Sequence, residues 1–273
     1  MEMSDHKIRK VAFLIHRQRE DAKEAAKRTA ELFNREGICV SVPEKESNEF
    51  DLVMTFGGDG TLLKGAKTAV LSGCPLLGIN LGTVGFLTEG EAGELPEMVK
   101  RVISGEYETE RRDLLEVCVN EEASRRFALN DVVLTRGGFS RLIQVETTID
   151  GEYWNTFTAD GVIAATPTGS TGYSLSAGGP VIAPGVPCTV ITPVCAHSFQ
   201  HSPCVVPGKS QITFLLKEER EQFADLQLDG QNICLLKSGD LVSMTLAEQS
   251  VQLVRMRPYR FFDVLRTKIS DWR

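Results

Sequence analysis

The chain has no Cys-x-x-Cys pair, and its seven cysteines are scattered among only four histidines. That excludes the usual closed zinc frameworks, and an odd number of spread thiols points to buried, reduced cysteines rather than a disulfide scaffold. Nowhere does an apolar run approach the roughly 20 residues a membrane helix needs. The opening Met1-Glu2-Met3-Ser4-Asp5-His6 is polar where a secretory leader would be apolar, so the sequence predicts a cytoplasmic protein with no membrane partner. A basic excess is also missing. Against 30 Lys and Arg stand 37 Asp and Glu, a net charge of -7, and the pairs Arg111-Arg112 and Arg125-Arg126 are short and isolated, which disfavours nucleic acid as a partner. Neither a Walker A pattern nor Gly-x-Gly-x-x-Gly occurs, so the two commonest nucleotide fingerprints do not apply.

What remains is a globular composition, 42% hydrophobic and 25% charged, in 273 residues, which suffice for one large domain or two small ones. Val11 to Ile15 is a short apolar run of buried-strand type. Ala22, Ala25, Ala26, Thr29, Leu32 and Phe33 then recur at helical spacing, with Gly37 where the helix would stop. Strands over 38–42, 51–56 and 75–80 and helices over 62–71 and 91–104 continue the alternation. It predicts an α/β domain with a Rossmann-like parallel sheet, helices on both faces, and a ligand at the carboxyl ends of the strands.

From about Glu106 strands recur at short spacing, over 114–119, 127–134 and 142–149, with Asp150-Gly151 a hairpin turn before 153–157. Further strands over 189–192, 211–216, 226–228, 233–236 and 241–246 lack long intervening helices. The expected division is an α/β domain over residues 1–105, a β-rich nucleotide-binding domain over 106–246, and an aromatic-containing tail, 247–273, docking on the first domain.

Three segments carry chemistry. Gly57-Gly58-Asp59-Gly60-Thr61 leaves a hydrophobic strand and opens a helix, so its backbone N–H groups can converge on an anion at the helix's positive end. An acid in the middle of such a turn repels a phosphate unless it binds a metal or takes a proton, which makes Asp59 the informative residue. From Thr166 to Pro180, ten of fifteen residues are Gly, Ser or Thr, yet the run also holds Tyr173 and Leu175. Hydroxyls and N–H groups at that density suit ribose, phosphate and adenine edges, and Tyr173 could pack against a base. Asn130-Asp131 interrupts an apolar run, the mark of a bulge, an edge or a ligand contact.

Together with Gly78-Ile79-Asn80, Gly82, Gly85-Phe86-Leu87 and Asp229-Gly230-Gln231, these segments resemble the NAD kinase family over nearly the whole chain. The glycine-rich turn is shared with lipid kinases and phosphofructokinases; the Thr166–Pro180 segment is the discriminating one. The resemblance implies transfer of a nucleotide γ-phosphate, from ATP or polyphosphate, to the 2′-hydroxyl of the adenosine ribose of NAD, giving NADP with Mg²⁺. It implies Asp59 as the base, and Gly57, Gly58, Gly60, Thr61 and Lys64 around the phosphates. Asn130 and Asp131 would hold ribose hydroxyls. Asp160 with Thr171, Gly172, Tyr173, Ser174, Leu175 and Ser176 would receive the adenine and nicotinamide ends, and Phe86, Arg141, Thr158 and Gln231 would be outer contacts. It implies no protein side chain as the metal's main holder, substrate phosphates serving instead, and a homodimer or homotetramer.

The sequence departs from the family's commonest pattern at four places: Gly172 for Ala, Asp131 for Glu, Ser202 for Arg, and Thr158 for a basic residue. None touches Asp59. Two rivals stand beside the kinase: a lipid kinase of the same superfamily, which the net charge and the lack of a basic amphipathic helix oppose, and a non-catalytic NAD or NADP sensor, which has no need of Asp59.

Overall fold

The computed structural model describes residues 8–43, 49–82, 85–137, 142–197, 202–218 and 221–270; Met1–His6, Arg141 and His201 lie outside them. The chain divides into two compact units, residues 1–111 with 251–273, and residues 112–250.

The first unit opens with β1 (Lys10–Ile15), α1 (Glu20–Arg35), β2 (Cys39–Ser41), β3 (Leu52–Gly57), α2 (Asp59–Ser72), β4 (Leu76–Asn80), β5 (Gly90–Glu91) and α3 (Leu95–Ser104), and β6 (Glu108–Val119) leads out of it. All six residues of β3 and all five of β4 are buried, as expected for central strands covered on both faces. β2, β1, β3 and β4 pair in parallel in that order. The order reverses between β1 and β3, so the turn Gly57–Thr61 leaves the carboxyl end of β3 at the switch point, where open α/β sheets bind ligands. α1 buries Ala22, Ala25, Ala26, Thr29 and Phe33 on one stripe, and acids in its first turn and Arg35 in its last complement the helix dipole.

The helix expected from 91 begins instead at Leu95. Residues Ala92–Glu94 form a 3₁₀ turn closed by reciprocal Glu91 and Glu94 side-chain bonds, and Pro96 occupies the first turn of α3.

In the second unit come β7 (Arg126–Ala128), β8 (Asp131–Arg136), β9 (Ile143–Ile149), β10 (Glu152–Ala159), β11 (Gly161–Ala165), the short α4 (Tyr173–Ser176), β12 (Cys188–Val194), β13 (Cys204–Pro207), β14 (Ile212–Leu216), β15 (Phe223–Leu228) and β16 (Gln231–Lys237). β17 (Leu241–Arg255) starts in this unit and ends in the first, where α5 (Phe261–Ser270) follows. One antiparallel sheet runs β13-β12-β11-β8-β15-β16. In the other, β10, β9, β14 and the first half of β17 pair antiparallel. In the first unit Leu253 of β17 lies parallel to Leu76 of β4. The β9–β10 hairpin turns at Asp150 (φ 52°) and Gly151 (φ 80°), the pair of positive angles a two-residue hairpin requires.

The single strand expected over 127–134 is broken at Leu129-Asn130, because the Asp229 carboxylate takes the N–H groups there. The polar first half of β6, the short β13 and the helix α5 escaped the apolar-run criterion.

Each unit has its own core. In the first, the Phe13 ring sits 4.8 Å from Phe56 and edge-on to Phe33 at 6.2 Å. Phe13→Ala is expected to lower stability by about 3–5 kcal/mol, the range for emptying a buried aromatic position, read as a fall in the urea midpoint.

Candidate active site

Asp59 is the first residue of α2. Its Oδ2 accepts the Phe86 N–H at 2.8 Å and its Oδ1 the Leu87 N–H at 3.1 Å, so both carboxylate oxygens are fixed by backbone. A methyl group on Gly85 would overlap that carboxylate, so only glycine admits the approach. The loop after β4 is knitted to the turn: Leu81 N–H donates to the Gly57 carbonyl at 3.3 Å, and the Arg19 guanidinium to the Leu81 carbonyl. Around Asp59, Gly57 and Thr61 are buried, Gly58 and Phe86 half-buried, and Gly60 and Lys64 exposed.

The second unit gathers the remaining described candidates. Asp229, at φ 51° in the β15–β16 turn, accepts the N–H groups of Leu129 (2.9 Å), Asn130 (2.6 Å) and Asp131 (3.2 Å), and its own N–H returns to the Asp131 carbonyl at 3.0 Å. From the other side the Thr166 N–H donates to the Asn130 carbonyl at 2.9 Å and the Thr166 hydroxyl to the Leu129 carbonyl at 2.6 Å. Gly169 lies so close to the Asn130 backbone that a Cβ there would collide with it. The Asn130-Asp131 corner is thus clamped between two loops. The Asn130 Oδ1 is buried without a hydrogen-bond partner among the described residues.

Asp131 is 5% exposed, and burial together with the Asp229 charge pushes its carboxyl up to about 7. Burial pushes Asp229 upward as well, against the three backbone N–H bonds that favour its charge. Those bonds stabilise the anion of Asp229, so the proton the pair retains resides on Asp131.

Tyr173, 43% exposed, has its phenol raised by burial and then by the charges of Cys195, Asp160 and Asp131, so these groups share one electrostatic neighbourhood. Asp160 pairs with Arg136 at 2.9 Å, a partner sequence reading missed. Thr158 is half-buried and its carbonyl takes the His197 N–H at 2.9 Å. The hydroxyl-rich segment spends much of its polarity on itself. Thr171 Oγ1 bonds the Thr168 carbonyl at 3.2 Å, Ser170 Oγ the Pro167 carbonyl at 2.7 Å, and the fully buried Ser174 the Thr192 hydroxyl at 2.8 Å. Ser176 and Gln231 are exposed, Gly172 and Leu175 half-buried. Asp229 also escaped assignment as a site residue, although a left-handed Asp-Gly beside Gln231 in a β hairpin is a legible turn signal.

An acid fixed by backbone at the start of a helix, at the switch point of a parallel sheet, fits a phosphotransferase that handles nucleotides. Residues 3–107 match the ATP-NAD kinase N-terminal domain and residues 129–256 the ATP-NAD kinase C-terminal domain. An NAD kinase from Geotalea daltonii is 45% identical over 223 residues, covering 81% of this chain and 78% of the relative, and one from Sulfurimonas denitrificans is 35% identical over 98% of this chain and 99% of the relative. The solved yeast NADH kinase complexed with NADH superposes with a TM-score of 0.84 at 26% identity, over 93% of this chain and 85% of that one. The NAD kinase from Archaeoglobus fulgidus in complex with ATP gives 0.74 at 27% identity, over 96% and 98%. The chain belongs to the NAD kinase family.

The Asp131 carboxyl leaves a signature in stability. Between about pH 4 and pH 7 the folded protein holds a proton that the unfolded chain has released, so this group's contribution falls as pH rises through that window, by up to about 1.4 kcal/mol per pH unit. Asp131→Asn is expected to remove that slope. Comparing chemical denaturation at about pH 5 and about pH 8 checks it: the parent should lose more stability over the interval than the variant.

Proposed function

We propose that the chain transfers the γ-phosphoryl group of ATP to the 2′-hydroxyl of the adenosine ribose of NAD, giving NADP, with Asp59 receiving the hydroxyl's proton. The observation that carries this reading is the Asp59 carboxylate held by two backbone N–H groups at the start of α2. The ribose oxygen forms a bond to the γ-phosphorus, the bond from that phosphorus to the β–γ bridging oxygen breaks, ADP leaves with its electron pair, and the proton passes to Asp59. Each Asp59 oxygen retains a lone pair after accepting its backbone bond, so the carboxylate can hold the hydroxyl without releasing its anchor. The first-turn amides of α2 and the exposed Lys64 favour the phosphates.

In the second unit, Asn130 Oδ1 and Asp131 offer acceptor and carboxyl groups to ribose hydroxyls, and the exposed face of Tyr173 offers a surface for a base. Ser174 supports the loop from inside through Thr192, leaving Tyr173 and Ser176 as its outward groups.

Mg²⁺ takes oxygen ligands, and the described residues bring together no group of three or more candidate side chains. The ion would be held mainly by nucleotide phosphates, where it would neutralise their charge, and Asp59 is kept for the proton. Polyphosphate as an alternative donor, a homodimer or homotetramer and a cytoplasmic location belong to the same reading and follow the family resemblance. No helix among the described residues is long and apolar enough to cross a membrane.

The direct test is a coupled assay: protein with Mg-ATP and NAD, NADP read through an NADP-specific dehydrogenase, and parallel reactions with polyphosphate or NADH. NADP formation that stops on chelating Mg²⁺ is the expected outcome. NAD binding by calorimetry without NADP from any donor would support the sensor instead. Asp59→Asn is expected to lower turnover by roughly two to four orders of magnitude with NAD affinity nearly intact. Tyr173→Ala is expected to raise the KM for NAD with a smaller change in kcat, and an unchanged KM would remove Tyr173 from the pocket.

A further inference from the structure

The backbone that holds Asp59 is itself held by the last residues of the first unit, and we propose that Tyr259 and Arg255 are positioning residues for Asp59. The Phe86 residue donates its N–H to Asp59 Oδ2 and accepts the Tyr259 hydroxyl on its carbonyl at 3.1 Å. Leu87 donates its N–H to Asp59 Oδ1 and accepts Arg255 Nη1 on its carbonyl at 3.3 Å. One peptide group, the Phe86 carbonyl with the Leu87 N–H, therefore has the Tyr259 hydroxyl on its oxygen and Asp59 on its nitrogen. Hydrogen bonds in such a chain polarise one another, so a donor on the carbonyl strengthens the N–H bond to the carboxylate.

Tyr259 in turn has little freedom. The Arg255 guanidinium lies over its ring, 4.2 Å from the centroid. Arg255 is 4% exposed and is pinned by Glu89 at 3.1 Å and Glu110 at 2.7 Å. Glu89 also accepts the N–H groups of Met256 (2.8 Å) and Arg257 (3.1 Å), which fastens the chain just before Tyr259 to the segment just after Leu87. The end of β17 and the segment after it thus close on the loop that aims Asp59, through the carbonyls of the two residues that do the aiming.

This inference rests on Asp59 acting as the base, and its test separates the two. Tyr259→Phe deletes only the hydroxyl and leaves the ring under Arg255, so the variant is expected to fold with its melting temperature little changed. Its kcat is expected to fall about tenfold, inside the hundredfold that a misplacement of about 1 Å can cost, with the KM values for NAD and ATP within about twofold. Amide hydrogen exchange at Leu87 should speed up. In the Asp59→Asn background the same change should cost nothing further, because its effect runs through Asp59. Unchanged kcat with unchanged Leu87 exchange overturns the inference, as does a loss that multiplies with that of Asp59→Asn. Asp59→Asn measured alone judges the base: a loss of turnover below about tenfold there overturns Asp59 itself, whereas unchanged kcat with unchanged Leu87 exchange in Tyr259→Phe overturns only the positioning role.

Discussion

The two hydrogen bonds from the Phe86 and Leu87 amides to the Asp59 carboxylate are the contact on which the proposed chemistry of the first unit depends. A half-exposed carboxylate on the first residue of a helix has several rotamers open to it, and fixing one costs at most about 2 kcal/mol. Hydrogen bonds to a charged group return about 1.5–3 kcal/mol each, so two of them outweigh the loss and leave one orientation. The arrangement needs the loop backbone to come within contact of the acid, and Gly85 is what permits it. The buried Arg255 with its two glutamates then keeps the loop from moving away, a role in which an ion pair gives specificity of position more than net stability.

The second unit uses a carboxylate in the opposite sense. Asp229 does not need orienting; it orients three consecutive backbone amides, and by doing so breaks the strand at Leu129-Asn130, with Asp131 the first residue of the ladder beyond the break. The consequence is a second acid buried beside the first, with too little solvent to support two charges, and a proton stays on Asp131 into the neutral range. The short side chain of Asp131 keeps its carboxyl close to the backbone that Asp229 holds. The segment from Thr166 to Pro180 completes the clamp, and most of its buried hydroxyls are committed to that framework before any ligand arrives.

The alternation of apolar runs and helical stripes was enough to read the α/β half, because each of those elements declares itself within a window of a dozen residues. The hairpin at Asp150-Gly151 was legible for the same reason. Strands that escaped, such as the charged first half of β6, present no continuous apolar face, so no local pattern marks them. Asp59 stood out because an acid in a glycine-rich anion turn is a local contradiction that only chemistry resolves, and the Thr166–Pro180 composition stood out because its polarity follows directly on a buried strand.

By itself, then, the sequence determined the class of each half, the turn that carries Asp59, and the residue types available to a nucleotide. Tertiary structure decided which of those groups are free to act. Asp59 finds its partners 27 and 28 positions along the chain, and Asp229 grips amides 98 to 100 positions before it. Contacts of that separation depend on strand order and register, which place backbone amides to within a fraction of an ångström, and no periodicity of side chains along the chain encodes where a distant N–H will point.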